Sequence, residues 1–186
     1  MRKIIVTEYL TLDGVFEEPG HWSFDFWSEE AAQYKHDELF SSDAQLLGRV
    51  TYEGFAQAWP TMEGTGDFGE LMNSMPKYVV STTLKNAAWN NTTILSNNVV
   101  EEITKLKEQS GQHILVAGSG KLVQTLMHHD LVDEYRLMVY PLILGIGKRL
   151  FPEGAAALKL QLVETKPFRS GVVVLTYQPM IPALPE

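Results

Sequence analysis

Two stretches of this chain, LGRVTYEGF (Leu47–Phe55) and ILVAGSGKLVQTLM (Ile114–Met127), decide its fold. In each, an apolar run typical of a buried β-strand changes at glycine into a helix-like pattern. A helix that starts after such a turn offers free backbone N–H groups to a phosphate, and glycine lets a ligand approach the backbone closely. One such turn is common in α/β proteins, but two that lie about 70 residues apart indicate a dinucleotide site.

Two better-known phosphate motifs do not fit these turns. In AGSGK, Leu122 follows the lysine where a Walker motif has Ser or Thr, and Leu115 stands where its first glycine belongs. A Rossmann motif would follow the first strand, but the run Lys3–Leu10 leads into Asp13-Gly14 and a long polar and aromatic segment. A P-loop phosphotransferase, which would bind ATP with Mg²⁺, therefore ranks far behind a dinucleotide-binding protein.

The periodicity predicts an α/β fold with a mixed sheet. Ser28 is the predicted N-cap of the first helix, with Glu29 and Glu30 in its first turn. Strands alternate with helices up to residue 129, and strand-like runs then follow one another without helices, which indicates antiparallel strands at the end. The predicted strands are 3–10, 44–48, 77–82, 92–95 and 113–117, the helices 28–40, 50–58, 98–109 and 120–129, and the last three strands Asp133–Pro141, Leu158–Lys166 and Gly171–Gln178.

Length and composition indicate one compact domain at 1–178, followed by a loose tail at 179–186 that contains three prolines. A net charge of −8 argues against general nucleic-acid binding, which needs a basic surface. No apolar segment approaches the length of a membrane span, and histidine shows no metal-ligand spacing. With no cysteine and no export signal, we expect a cytoplasmic protein that binds no metal.

Six motifs in a fixed order resemble the RibD C-terminal-domain family. They are TLDG (11–14), LGRVTYEGF (47–55), YVVSTTL (78–84), VAGSGKL (116–122), VDEYRLMVYPLILGIGKRLF (132–151) and GVVVLTY (171–177). This family has the dihydrofolate-reductase-like fold and includes the pyrimidine reductase of riboflavin biosynthesis. The resemblance implies a mainly parallel mixed sheet flanked by helices, NADPH as cofactor, and a small-molecule substrate.

The resemblance also places the cofactor. The adenosine end would lie between Arg49–Thr51 and Ser81-Thr82, the pyrophosphate against Gly118–Leu122, and the nicotinamide near Thr7 and Asp13-Gly14. A guanidinium beside hydroxyls suits a 2′-phosphate, so Arg49 favours NADPH over NADH. Ser81 and Thr82 are equally typical of turn residues at a strand end. The predicted cofactor contacts are Thr7, Asp13, Gly14, Gly48, Arg49, Val50, Thr51, Ser81, Thr82, Gly118, Ser119, Gly120, Lys121 and Leu122.

The chain departs from the families that it resembles at positions where those families carry substrate-binding residues. Riboflavin-pathway reductases carry a lysine after the DG of the first loop and an acid before the glycines of the second turn, where this chain has Val15 and Ala117. Folate reductases carry an acid on the first helix, which falls near Ala32 or Gln33 here. The nearby acids Glu29, Glu30, Asp37 and Glu38 are interpreted as a solvated helix face.

The aromatic segment Val15–Trp27 is the candidate replacement for these contacts. Its rings would either line a substrate pocket or simply cap the core. Trp22, Phe26 and Trp27 are the candidate substrate contacts, together with Lys148, which is also typical of a solvated hairpin turn. Asp13 and His21 are the candidate catalytic residues of this loop, and an imidazole is a common proton donor in enzymes.

Two functions from different classes remain open. The first is an NADPH-dependent reductase of a small planar or carbonyl substrate, which includes a 5-amino-6-(5-phosphoribosylamino)uracil reductase-like activity. The second is a non-catalytic NADP-binding or sensing protein. The resemblance also implies a homodimer, with Leu137, Val139, Leu142 and Ile143 at the contact unless the chain itself covers them.

Overall fold

The computed structural model describes residues 1–155 and 157–180, and these residues build one eight-stranded sheet. The strands occur in the order β4-β3-β2-β5-β1-β6-β8-β7 across the sheet. The strands are β1 (Ile4–Thr11), β2 (Ser42–Gly48), β3 (Lys77–Val80), β4 (Thr92–Leu95), β5 (His113–Ala117), β6 (Glu134–Tyr140), β7 (Leu160–Pro167) and β8 (Val173–Pro179), and the helices are α1 (Glu29–Phe40), α2 (Arg49–Ala58), α3 (Gly66–Ser74), α4 (Val99–Glu108) and α5 (Gly120–His128).

The sheet is mixed and mainly parallel, as the sequence predicts. All neighbouring pairs from β4 to β6 are parallel, whereas β8 runs antiparallel to both β6 and β7. From β1 the chain crosses to β2 on one side, and from β5 it crosses to β6 on the other. The carboxyl ends of β1 and β5 therefore flank the point where the strand order reverses, and open α/β sheets bind ligands at such a crevice.

The helices divide into two layers, one on each face of the sheet. The face that carries Ile4 and Val6 packs against Ile103 of α4 and Leu126 of α5. The other face packs against Leu39 of α1, Tyr52 of α2 and Met72 of α3. Because side chains alternate along a strand, successive residues of β1 point into different layers.

Local signals at the first helix are confirmed. Ser28 caps α1, and its hydroxyl accepts a hydrogen bond from the backbone N–H of Ala31 at 3.2 Å. By contrast, α3 lies in a glycine-rich stretch that does not predict a helix. A Cβ at Gly69 would collide with the Thr65 side chain, so this glycine lets the helix start close to Thr65.

The last strand ends one residue beyond the end predicted for it at Gln178. β8 continues to Pro179, and the backbone N–H of Met180 donates to the carbonyl of Lys159 at 2.9 Å. The sheet therefore takes up the first residues of the predicted tail. Residues 181–186 of that tail lie outside the described residues.

The loop after β1 is joined to the loop after β6. The backbone N–H of Phe16 donates to the carbonyl of Lys148 at 3.0 Å, and that of Leu150 donates to the carbonyl of Gly14 at 3.2 Å. Asp13 also joins these two loops, because its carboxylate accepts from the backbone N–H groups of Leu144 and Gly145 at 3.2 and 2.9 Å. We call these two hydrogen bonds the loop clamp. A hydrogen bond from the Thr11 hydroxyl and these backbone donors lower the pKa of Asp13 to about 2.

We expect Asp13→Asn to weaken the loop clamp without unfolding the protein. An amide has one acceptor oxygen instead of two, so hydrogen exchange at the Leu144 and Gly145 amides should become severalfold faster. Asp25→Asn, which changes an exposed acid at another site, is the matched control.

The same interaction predicts a pH dependence. The pKa of Asp13 is lower in the folded protein than its ordinary value of 3.8. The loop clamp therefore contributes its full stabilisation above about pH 4 and loses it as the pH falls through about 2.

If the Leu144 and Gly145 amides exchange equally fast in Asp13→Asn, Asp25→Asn and the wild type, Asp13 does not hold the loop.

Candidate functional site

The two glycine turns meet at the carboxyl ends of the neighbouring strands β2 and β5. The backbone N–H of Gly48 donates to the Ser119 hydroxyl at 2.9 Å, and the backbone N–H of Ser119 donates to the Thr51 hydroxyl at 3.0 Å. Each turn thus satisfies a donor of the other. We call this pair of hydrogen bonds the turn lock. It brings the N-termini of α2 and α5 together, although the sequence signals each turn only separately.

The backbone of the second turn is left-handed, with φ of +56° at Gly118 and +64° at Ser119. A Cβ at Gly118 would lie 3.2 Å from the Thr51 hydroxyl, and one at Gly120 would collide with the Phe16 ring. The packing of this chain itself therefore requires both glycines. Beyond the turn, the first N–H groups of α5, including those of exposed Lys121 and buried Leu122, have no acceptor within the helix.

The first turn presents a mainly exposed surface. Arg49 and Val50 begin α2 and are exposed, and an Arg49 N–H donates to the Glu53 carboxylate at 2.7 Å. Ion pairs of this exposed kind contribute little to stability. The Arg49 guanidinium can therefore exchange its partner for another anion at small cost.

A cavity of about 430 Å³ lies at the carboxyl ends of β3 and β4. Thr82 is exposed there, whereas the hydroxyl of Ser81 accepts from the backbone N–H groups of Thr83 and Leu84 at 3.2 and 2.9 Å. Ser81 thus has the role of a turn residue, which was the alternative interpretation. The cavity is lined by Thr82, Leu84, Lys85, Ile94, Ser96 and Asn97.

Sequence reasoning missed Lys85 as a possible anion contact. Lys85 contributes the positive charge of this cavity, and Ser96 and Asn97 come directly after β4. The available signal was topological. The carboxyl ends of adjacent parallel strands share one edge, so residues that follow β4 lie beside those that follow β3.

A buried ion network lies between α1 and the sheet. The ammonium of Lys35 donates to the Thr7 hydroxyl at 2.9 Å and pairs with Glu38. Glu38 also lies 3.7 Å from the guanidinium of Arg136, which pairs with Glu134 at 2.8 Å. The network therefore extends from the centre of β1 across β6.

The interpretation of Glu38 as a solvated residue is wrong. Its side chain is fully buried between Lys35 and Arg136. The spacing contained a signal, because Ala31, Glu38 and Leu39 are the buried residues of α1 and lie on one helical face. What the local sequence could not show is the cation that Arg136 supplies from β6.

A second buried acid, Glu8, lies on the opposite face of β1. Burial raises its pKa well above the ordinary value, while the charge of Lys35 and the backbone N–H of Gly118 act against that rise. Its Oε1 has no hydrogen-bond partner among the described residues. Sequence reasoning missed Glu8, although an acid within the apolar run IIVTEYL was a visible exception.

The candidate catalytic residues of the first loop, Asp13 and His21, have other interactions in the structure. Asp13 is engaged in the loop clamp, and its low pKa leaves no proton to donate near neutrality. Gly14 provides the turn beside it, with φ of +81°. His21 is exposed, and its Nδ1 lies 3.5 Å from the Glu18 carboxylate. Neither side chain therefore offers a clear proton donor in the crevice.

The aromatic segment caps the core with two of its candidate residues. Trp22 is buried, donates from its indole nitrogen to the carbonyl of Glu17 at 3.0 Å, and meets the Tyr140 ring edge-on at 5.2 Å between centroids. Phe26 packs on the same ring at 5.9 Å. Trp27, by contrast, is 44% exposed. Of the three, Trp27 is thus the most accessible to a substrate.

The neighbouring loop residues are also engaged with one another. Lys148 pairs with the carboxylate of Glu17, which also accepts from the Lys148 backbone N–H at 3.1 Å. Val15 is buried against Gly147, where a Cβ would approach its Cγ1 to 2.6 Å. The position expected to carry a lysine in riboflavin-pathway relatives thus packs in the core.

Two further properties concern the described part of the chain only. Within residues 1–155 and 157–180, we find no cluster of three or more His, Cys, Asp or Glu side chains placed to hold a metal ion. None of the helices described is long and apolar enough to cross a membrane.

Comparison with known proteins identifies relatives of this chain. This chain is 34% identical over 179 residues to the uncharacterized protein YyaP of Bacillus subtilis (strain 168). The match covers 95% of this chain and 94% of YyaP. Its fold is similar to that of dihydrofolate reductase from Enterococcus faecalis complexed with NADP(H), with a TM-score of 0.63, 16% identity, and coverage of 95% of this chain and 96% of that chain.

A third similar protein is a diaminohydroxyphosphoribosylaminopyrimidine deaminase/5-amino-6-(5-phosphoribosylamino)uracil reductase from Thermotoga maritima. The TM-score is 0.69 at 18% identity, and the match covers 96% of this chain but 57% of that one. The model of the RibD C-terminal domain family matches residues 2–174. The strand order, the paired turns and this match agree, and the chain belongs to the RibD C-terminal domain family, with a dihydrofolate-reductase-like fold.

Proposed function

We propose that this protein is an NADPH-dependent reductase that transfers hydride to a small planar or carbonyl substrate. The turn lock is the observation that carries this proposal, because it holds two helix N-termini side by side at the ligand-binding edge of the sheet. The solved Enterococcus faecalis neighbour was complexed with NADP(H), which supports the choice of cofactor.

The dimensions of the edge suit an extended dinucleotide. At about 4.8 Å between adjacent strands, β4 and β1 lie roughly 19 Å apart. The cavity beside Lys85 would take the adenosine end, and the turn lock the pyrophosphate. The nicotinamide would then reach the crevice near Thr7 and Gly14. In this arrangement Arg49 and Lys85 are the cations for the 2′-phosphate.

We also propose a cytoplasmic location, which suits an NADPH-dependent protein without cysteine.

The protein residues would bind and orient the reactants, since the bound nicotinamide supplies the hydride. Reduction of 5-amino-6-(5-phosphoribosylamino)uracil is the narrower version of the proposal, after the activity named for the Thermotoga maritima protein. Val15 and Ala117 carry no polar group for such a substrate. We therefore propose the broader substrate class and include the aminouracil among the compounds to test.

A non-catalytic NADP-binding or sensing protein is the second candidate. It is favoured by the engagement of Asp13 in the loop clamp and by the exposure of His21. Oxidation of pre-bound NADPH by a panel of pterins, flavins, quinones, simple carbonyls and the aminouracil distinguishes the two. Turnover with any of them supports the reductase, whereas tight NADPH binding without oxidation supports the sensor.

We expect Arg49→Ala and Lys85→Ala to weaken NADPH binding much more than NADH binding. Each lost contact with the 2′-phosphate should cost roughly 1.5–3 kcal/mol, as for charge-assisted hydrogen bonds. Fluorescence titration of both cofactors measures this difference. Arg169→Ala, which removes an exposed guanidinium distant from this edge in the sheet order, is the control. Equal losses for the two cofactors would contradict the assignment of the 2′-phosphate site.

We also propose that the protein forms a homodimer through the loop that follows β6. Of the residues expected at the contact, Leu137 is buried and Val139 partly buried within the chain, against the α4 and α5 layer. Leu142 is also partly covered, by the cluster around Tyr140. The exposed apolar side chains lie further along the loop, where Ile143 is 72% and Ile146 is 83% exposed. Such a surface favours a partner.

For this contact, we expect light scattering at micromolar concentration to give about twice the 20.9 kDa mass of the chain. The double variant Ile143→Glu and Ile146→Glu should be monomeric, because burying unpaired carboxylates at an apolar contact is strongly unfavourable. Phe24→Glu, an equally large change at another exposed apolar residue, should leave the dimer intact. A monomeric mass for the wild type at every concentration would refute the dimer.

A further inference from the structure

The Glu8 carboxyl is buried beside the β1–β5 crevice and lacks a full set of partners. Glu8 is 3% exposed, and Oε1 has no hydrogen-bond partner among the described residues. On the same face of β1, Val6 and Leu10 pack in the apolar layer with α5. An unsatisfied polar atom in such a layer costs free energy, and binding of a ligand is one explanation for its presence.

An internal ion pair does not account for Glu8. Lys35 exerts an attractive charge on it, but the Lys35 ammonium already contacts Thr7 and Glu38 in the layer beyond the sheet. The register pairs Glu8 with Leu137 on β6, which offers no side-chain hydrogen bond. On the other side, the backbone N–H of Gly118 acts on the carboxyl and favours its charged form.

The register also locates Glu8 relative to the turn lock. Thr7 pairs with Ala117, the last residue of β5, so Glu8 lies level with Gly118. The carboxyl is therefore at the start of the turn that leads into α5. The Phe16 ring covers Gly120 two residues later, and Leu122 belongs to the same apolar layer. The carboxyl thus contributes hydrogen-bonding capacity to mainly apolar surroundings.

We propose that the neutral carboxyl of Glu8 binds the carboxamide of the nicotinamide ring, which makes it a specificity-determining contact of the cofactor. The acid O–H donates to the carboxamide oxygen, and the acid C=O accepts from the carboxamide N–H. Each partner supplies one donor and one acceptor, so two parallel hydrogen bonds form and fix the orientation of the carboxamide. This inference rests on the proposed binding of NADPH.

The protonation state of Glu8 matters for this contact. Burial raises the pKa of Glu8, which favours the neutral acid that can donate. A carboxylate would only accept and would repel the cofactor phosphates. Lys35 from α1 is the charged side chain that acts on Glu8. In the neighbouring loops and helix, Glu17 and Lys148 pair with each other, Asp13 accepts from backbone N–H groups, and Lys121 in the first turn of α5 is exposed.

The test compares two oxidised cofactors by calorimetry. NADP⁺ carries the carboxamide, whereas its 3-acetylpyridine analogue keeps the carbonyl oxygen but has no N–H. We expect the wild type to bind NADP⁺ at least tenfold more tightly than the analogue. Glu8→Gln, which keeps one donor group and one acceptor, should retain this preference, and Glu8→Leu should reduce it to about twofold or less. Glu70→Gln, at an exposed acid of α3, is the control.

A pH series provides a second readout. The affinity of the wild type for NADP⁺ should fall as the pH rises through the ionisation of Glu8, because the donor is lost. Glu8→Gln should remove that fall, whereas the Glu70→Gln control should keep it. Near-ultraviolet circular dichroism of each variant verifies the fold, and the wild-type comparison of the two cofactors needs no variant.

The outcomes separate this inference from the proposed function. If the wild type binds both cofactors equally, or if Glu8→Leu keeps the full preference, Glu8 does not bind the carboxamide although the protein binds NADP⁺. If the wild type binds neither NADP⁺ nor NADPH, the proposed function fails, and this inference fails with it. A preference that disappears in Glu8→Leu and persists in Glu8→Gln supports the carboxamide contact.

Discussion

The candidate site depends on the turn lock, the pair of hydrogen bonds that joins the backbone N–H of Gly48 to Ser119 and that of Ser119 to Thr51. α2 and α5 lie on opposite faces of the sheet, so packing within one layer cannot hold their N-termini together. The lock does so across the sheet edge. It makes two ordinary strand–helix turns into one surface where the positive ends of two helix dipoles converge.

Features that depend on local spacing were predictable from the sequence. Apolar periodicity separates strands from helices, and the hydroxyl of Ser28 marks a helix start because it can accept an unsatisfied N–H. The dependence on local spacing also explains why α3 was not predicted. Its glycines predict a turn, and the close fit of Gly69 against Thr65 that permits a helix there is visible only in three dimensions.

Side-chain roles were harder to predict, since their partners are distant in the chain. Asp13 appears as a candidate ligand contact in sequence, but its backbone donors at Leu144 and Gly145 come more than a hundred residues later. Glu38 appears solvated until Arg136 is brought beside it by the pairing of β1 with β6. Burial and ion pairing are tertiary properties, and charge patterns along one helix do not determine them.

Most of the acidic side chains discussed around the crevice are held by partners within the chain, and Glu8 is the exception. Asp13 is engaged by backbone amides, Glu17 by Lys148, and Glu38 by its ion pairs with Lys35 and Arg136. Oε1 of Glu38 and Oε1 of Glu8 both lack a hydrogen-bond partner among the described residues, but Glu8 forms no ion pair there either. The interactions of Asp13, Glu17 and Glu38 shape loops and packing, whereas the Glu8 carboxyl stands on the central strand β1. A strand positions a functional group more precisely than a loop does. The crevice thus has an ion-paired side beneath α1 and an apolar side with one carboxyl near α5. In the proposed reductase, this asymmetry would distinguish the two edges of a planar ring.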